Sequence, residues 1–196
     1  MTTLLLTRHG ETSWNNEHRW QGHADEPLNE VGRSQARALA PTLTGRGIAA
    51  AYASDLARAR ETAELLAGPL GLPVVTLPGL REVDVGTWSG LHHAEIQTLD
   101  PEGYRRWEQG GKGWQQGESY EEMGVRVVAA LLEIAAAHPG ETVLVVSHGG
   151  SIRACRASAA GVSVAESRGA QALGTTANCE VVELQVVDGR LVGTPG

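Results

Sequence analysis

The chain has 196 residues, 41% of them hydrophobic and 20% charged, with a formal net charge of −7. That length is enough for one domain with a buried core, and the acidic balance argues against nucleic acid or an anionic membrane as partners. No run approaches the ~18 apolar residues of a membrane helix, and Cys155 and Cys179 fit neither a zinc spacing nor a disulfide framework, so reduced thiols and a cytoplasmic location are expected.

In chain order, Thr3 to Thr7 is a short apolar run ending in Arg8-His9-Gly10. It reads as a buried strand and not as a signal peptide, because no cationic start precedes it. Asn29 is the expected N-cap of a helix running to about Thr44, with Val31, Ala38, Leu39, Thr42 and Leu43 inward and a kink at Pro41. Ala49 to Ser54 reads as a second buried strand. It feeds a helix from about Leu56 to Leu66, in which Ala59, Thr62, Ala63 and Leu66 recur at helical spacing. Pro73 to Leu77 is a third strand, Arg81 to Gly90 a Gly-containing loop, and short helices are expected through Trp107.

Gln109 to Gly117 is polar and Gly-rich, which predicts a mobile surface loop. Ser119 and Glu122 form a capping box, and Met123, Val127, Leu131 and Ile134 make an apolar stripe towards His138. Thr142 to Ser147 is the strongest buried strand, followed by a helix from near Gly150. Cys179 to Val187 and Arg190 to Val192, joined by Asp-Gly, read as a terminal hairpin.

Strands alternating with helices, without internal repeats or linkers, predict a single domain over 1–196 built as a three-layer α/β/α sandwich on a mostly parallel sheet. Such sheets bind ligands at the carboxyl ends of their strands. Three of those ends carry reactive residues: Arg8-His9-Gly10, Ser54 to Arg58, and Ser147-His148-Gly149. Phosphoryl transfer needs cations around the phosphoryl oxygens, an in-line nucleophile and a proton for the leaving oxygen. Arg8 and Arg58 offer planar forks for phosphate. Gly10 and Gly149, after His9 and His148, allow close approach of the backbone to an oxyanion, and the helix near Gly150 adds its N-terminal dipole. Glu82, in the Gly-flanked loop, is a candidate general acid. Taken singly, each residue has an ordinary structural explanation: a satisfied core histidine, a solvated arginine or a surface ion pair.

Their joint pattern resembles the histidine phosphatase superfamily, also called phosphoglycerate mutase-like. The resemblance is carried in order by Leu6-Thr7-Arg8-His9-Gly10-Glu11-Thr12-Ser13-Trp14-Asn15 and by Gln21-Gly22 through Asp25, Pro27 and Leu28. It continues through Ser54-Asp55-Leu56-Ala57-Arg58-Ala59 with Thr62-Ala63, and Leu80-Arg81-Glu82 with Gly86, Trp88, Ser89 and Gly90. It ends with Val146-Ser147-His148-Gly149-Gly150 and Ile152-Arg153. The resemblance implies that His9 becomes phosphohistidine and that Arg8, Arg58 and His148 bind the phosphoryl oxygens. It also implies that Glu82 protonates the leaving group and then activates water, with Asn15, Gln21, Gly22 and Gly149 contributing to phosphate binding and Thr12 holding the loop or touching substrate. No metal and no cofactor is expected.

Mutases of this superfamily typically carry Glu-Arg-His-Tyr-Gly at the acid loop, whereas here Glu82 is followed by Val83-Asp84-Val85-Gly86. The expected activity is therefore hydrolysis of a small phosphorylated metabolite, with a 2,3-bisphosphoglycerate-dependent phosphoglycerate mutase as the alternative. Two other classes, a metal-dependent phosphoesterase and a silent binding module, fit less well. The former lacks metal-ligand spacing among the seven histidines, and the latter would not need the full set of reactive residues. Specificity is expected from Arg19, Trp20, Gln21, His23, Trp88, His92, His93 and the loop around Lys112 and Trp114. The edge of the terminal hairpin could support a homodimer.

Overall fold

The computed structural model describes residues 1–164 and 174–193. In chain order the elements are β1 (Thr2–Arg8), α1 (Ser13–Asn16), α2 (Glu30–Leu43), β2 (Ile48–Ala53), α3 (Ala57–Ala67), β3 (Val74–Thr76), α4 (His93–Leu99) and α5 (Pro101–Glu108). There follow α6 (Tyr120–Ala137), β4 (Thr142–Ser147), α7 (Gly149–Ala160), β5 (Val181–Val187) and β6 (Arg190–Gly193). Short 3-10 turns lie at Gly68–Leu70, Pro78–Leu80 and Gly86–Trp88.

The strands form one sheet in the order β3-β2-β4-β1-β5-β6. The first four run parallel, and β5 and β6 are antiparallel to their neighbours. Side chains alternate between faces along a strand, and both faces of this sheet are covered. Leu5, Leu144 and Val146 pack with Ala40, Leu43, Ala59, Ala63 and Leu66 of α2 and α3. Leu4, Leu6, Val143 and Val145 pack on the other side with Met123, Val127, Leu131 and Ile134 of α6 and Ile152 and Cys155 of α7. Burial on both faces explains why β1 and β4 read as continuous apolar runs. The result is the expected three-layer sandwich.

The capping box of Ser119 and Glu122 starts α6 as the sequence indicates, and Asn29 caps α2 through Gly32 N–H. Asp188 and Gly189, both at positive φ, turn the terminal hairpin, as the primed two-residue turns require.

Four expectations need correction. The inner face of α2 is Gly32, Ala36, Ala40 and Leu43, while Val31 is exposed. Size, not hydrophobicity, decides this face: a Cβ on Gly32 would meet Glu11 O at 2.2 Å, and one on Gly10 would meet Gly32 O at 2.5 Å. The helix thus seats directly on the backbone that follows His9. Pro41 falls in the last turn of α2, where only the terminus can respond to it. The segment Gln109 to Gly117 is not a free loop, because Trp114 is buried and its Nε1–H donates to Glu118 O at 3.0 Å. Cys179 precedes β5 in a turn, at φ 57°.

Candidate active site

His9 follows β1 and His148 follows β4. The strands are parallel neighbours with Arg8 opposite Ser147, and His9 N–H donates to Ser147 O at 3.0 Å. The next residue on each strand therefore emerges beside the other, and the two imidazole centroids lie 5.2 Å apart. Nδ1 of His9 is 2.7 Å from Gly10 O. A carbonyl only accepts, so the proton resides on Nδ1 and the lone pair of the neutral ring is on Nε2. Burial, then Arg58 and Arg8, hold the His9 imidazole well below its ordinary pKa. Burial, then Arg58 and the His9 ring, do the same to His148. Both rings are neutral at pH 7.

Arg58 stands in the first turn of α3 and is 1% exposed. Its Nη1 donates to Ala24 O at 2.7 Å and its Nη2 to Gly22 O at 2.9 Å. Burial pulls this guanidinium down to about 10, with Glu82 and Asp25 opposing, which leaves it cationic at pH 7. Gly22 therefore serves the site through its carbonyl. Its φ of +50° and the 2.6 Å between an added Cβ and Val85 Cγ2 leave no room for a side chain. Arg8 donates through Nη1 to Thr176 O at 2.8 Å, and burial lowers its pKa as well.

The Nε atoms of Arg8 and Arg58 and both ring nitrogens of His148 are buried without a hydrogen-bond partner. A buried polar group left unpaired costs about 1–3 kcal/mol. Four such atoms around one imidazole form a set that an anion would satisfy.

The carboxylate of Glu82 accepts from Gly150 N–H at 2.9 Å through Oε2 and from Val83 N–H at 3.0 Å through Oε1. Thr12 caps α1, and Asn15 Oδ1 accepts from its N–H and hydroxyl, each at 3.2 Å. Gln21 Oε1 accepts from the same hydroxyl at 3.1 Å. Arg8, His9, Asn15, Gln21, Gly22, Arg58, Glu82 and Gly149 line one cavity of about 370 Å³, a volume that suits a small ligand. His148 is fully buried beside the His9 ring.

Among the described residues, the cavity wall holds four arginines, Arg8, Arg19, Arg58 and Arg153, and a single carboxylate, Glu82. Among the described residues, no group of three or more His, Cys, Asp or Glu side chains is placed to hold a metal. Nor is any described helix long and apolar enough to cross a membrane.

The expected mouth residues divide. Arg19, Trp20, Gln21 and His93 line the cavity. Trp88 and Trp114 are buried in a cluster of aromatic rings behind Trp20, at centroid distances of 5.5 and 6.0 Å from it. His92 caps α4, Lys112 binds Gly117 O at 2.7 Å, and His23 donates to Glu82 O at 2.8 Å from behind the acid loop. The sequence reading missed Trp14, His18, Tyr120 and Thr176 in the wall, and Asn178, whose Nδ2 donates to His9 O at 2.8 Å. Thr176 acts through its backbone, so its side chain carries no signal. The carboxamide of Asn178, just before β5, was the one legible hint.

Chemically the arrangement can hold a phosphoryl group among guanidinium and imidazole groups, with a carboxyl group at the rim. It is that of a phosphoryl-handling α/β protein. A family model, "Histidine phosphatase superfamily (branch 1)", matches residues 4–193, and the chain belongs to that superfamily. It is 41% identical over 160 residues to phosphoglycerate mutase-like protein 4 of Arabidopsis thaliana, covering 76% of this chain and 67% of the relative. To the metal-independent phosphoserine phosphatase of the same plant it is 40% identical over 159 residues, covering 79% and 67%. The solved structure of Bacillus stearothermophilus YhfR superimposes with a TM-score of 0.89 at 35% identity, covering 97% of this chain and 94% of that one.

Proposed function

We propose that this chain is a phosphomonoester hydrolase that transfers the phosphoryl group of a small metabolite to His9 and then to water. The observation that carries the reading is the set of unpaired buried nitrogens on Arg8, Arg58 and His148 around an imidazole whose Nδ1–H is held by Gly10 O. In the first step Nε2 of His9 attacks phosphorus in line, the bond to the leaving oxygen breaks, and that oxygen takes a proton from the Glu82 carboxyl group. In the second step Glu82 takes a proton from water, whose oxygen attacks phosphorus. The N–P bond breaks, and phosphate leaves with its charge offset by the arginines. Asn15, Gln21 and Gly149 complete the wall, and Gly22 sets Arg58 through its carbonyl.

Membership in the superfamily leaves the reaction open between hydrolysis and mutation, and the names of its relatives span both. The acid loop Glu82-Val83-Asp84-Val85-Gly86 and the phosphoserine phosphatase relative favour hydrolysis. A panel of phosphomonoesters, assayed with and without 2,3-bisphosphoglycerate, decides. Phosphate release independent of that compound is the expected result; phosphoglycerate isomerisation dependent on it would reverse the assignment. The same proposal includes a single domain over 1–196, a cytoplasmic location in keeping with the free thiols of Cys155 and Cys179, and a homodimer through the open edge of β6, to be read by sedimentation.

A further inference from the structure

Glu82 sits on a loop, and a loop carboxyl group transfers a proton well only if its backbone is held. Ser147 Oγ donates to Leu80 O at 2.8 Å and Ser151 Oγ to Arg81 O at 3.0 Å, but the side chain that takes the most carbonyls around Glu82 is Arg126 of α6. Its Nη1 donates to Pro78 O at 3.3 Å, Gly79 O at 2.9 Å and Arg81 O at 3.1 Å. Its Nη2 donates to Glu82 O at 3.2 Å and to Glu118 Oε1, and its Nε to Glu118 Oε2 at 3.2 Å. Glu118 in turn accepts from Asp84 N–H at 3.2 Å and donates its own N–H to Asp84 O at 3.1 Å. The chain is thus gripped on both sides of Glu82, residues 78–82 by the guanidinium and residue 84 by its carboxylate partner. His23 adds a second donor to Glu82 O.

We infer that Arg126, paired with Glu118, is the positioning residue that aims the Glu82 carboxyl group at the leaving oxygen. Four carbonyls and a carboxylate shared among the three nitrogens of one side chain call for the fixed fork of a guanidinium, which lysine cannot reproduce. A guanidinium at the carboxyl end of the 3-10 turn Pro78–Leu80 also meets the negative end of its peptide dipoles. Arg126 is absent from the cavity wall, so its effect on the reaction passes through Glu82.

This inference rests on Glu82 being the proton donor, and the test separates the two claims. kcat/KM, which ends at loss of the leaving group, is measured for Arg126→Met, Arg126→Lys, Glu118→Gln and Glu82→Gln across aryl and alkyl phosphates of graded leaving-group basicity. Thermal melts are run in parallel. A nitrophenolate leaving group needs little proton transfer, whereas an alkoxide needs it fully. Arg126→Met is expected to lose about 10²-fold on alkyl phosphates while keeping most of its rate on nitrophenyl phosphate. Arg126→Lys should follow it, and Glu118→Gln should show a weaker form of the same pattern. In an Arg126→Met, Glu82→Gln double variant the losses should not add. If Glu82→Gln shows the leaving-group dependence and the folded Arg126 and Glu118 variants lose activity equally on every substrate, Arg126 is structural and the inference fails alone. If Glu82→Gln itself shows no such dependence, the assignment of Glu82 falls and this inference with it. Should Arg126→Met not fold, Arg126→Lys and Glu118→Gln carry the same comparison.

Discussion

The Glu82 carboxylate lies against the backbone of Gly150: Oε2 accepts the Gly150 N–H at 2.9 Å, and a Cβ built on Gly150 would fall 2.3 Å from Oε1. The absence of a side chain at this helix position is what lets the carboxyl group approach α7. The atom in the way is the end of a flexible side chain, so Gly150→Ala should fold, and alanine in a helix is favoured over glycine by about 1 kcal/mol. The expected outcome is an unchanged or slightly higher melting temperature with kcat reduced about tenfold or more, because Glu82 is pushed off its position. Melting curves and steady-state kinetics on the same preparation check it.

His9 and His148 are both held neutral by burial and by the arginines, with folded-state pKa values well below the ordinary one. In the unfolded chain they take up protons as pH falls through about 6.5. Below that pH the unfolded state binds more protons than the folded state, so stability falls as pH falls and levels off above it. Each ring contributes at most about 1.4 kcal/mol per pH unit to that slope. Urea melts between pH 5 and pH 8 should give a shallower pH dependence for His148→Gln than for the unmodified chain.

Arg58 is buried in the first turn of α3 with both Nη atoms on backbone carbonyls. Its two backbone acceptors, Ala24 O and Gly22 O, hold the segment that follows α1, and its unpaired Nε faces the anion set. Arg58→Ala should lower kcat/KM by about 10²–10³ and also lower the midpoint of urea unfolding, since two buried carbonyls lose their donors. Arg8 gives up one carbonyl contact, at Thr176, so Arg8→Ala should cost a similar factor in rate with a smaller loss of stability.

Trp88 is 1% exposed and donates through Nε1 to Asp100 at 3.1 Å, inside the ring cluster with Trp20, Trp107 and Trp114. Trp88→Ala should destabilise the chain by about 3–5 kcal/mol. At temperatures where the variant is folded, its order of preference among substrates should stay the same. A changed substrate order, measured on the phosphomonoester panel, would return Trp88 to the mouth.

What was legible in the sequence follows from burial on two faces and from parallel topology. β1 and β4 are continuous apolar runs because helices cover both of their sides. In a parallel sheet, residues just beyond the carboxyl ends of neighbouring strands meet, here β1, β4 and β2, and so His9, His148 and Arg58 could be grouped without coordinates. The inner face of α2 was legible by hydrophobicity only at Leu43, since Gly32 is selected by close contact with the backbone of Gly10 and Glu11. Composition misled at Gln109 to Gly117, where one tryptophan, Trp114, outweighs its glycines by burying itself. The grip of Arg126 on carbonyls 78–82 was out of reach as well, because backbone acceptors have no residue type to recognise.

The most direct test of the account is to quench the reaction with a labelled phosphomonoester during turnover and locate the phosphoryl group by peptide mass spectrometry. The account predicts an acid-labile phosphate on position 9 that forms and decays at the rate of turnover, and none in His9→Asn. Phosphate found on another residue, or turnover retained by His9→Asn without any phosphoenzyme, would contradict it.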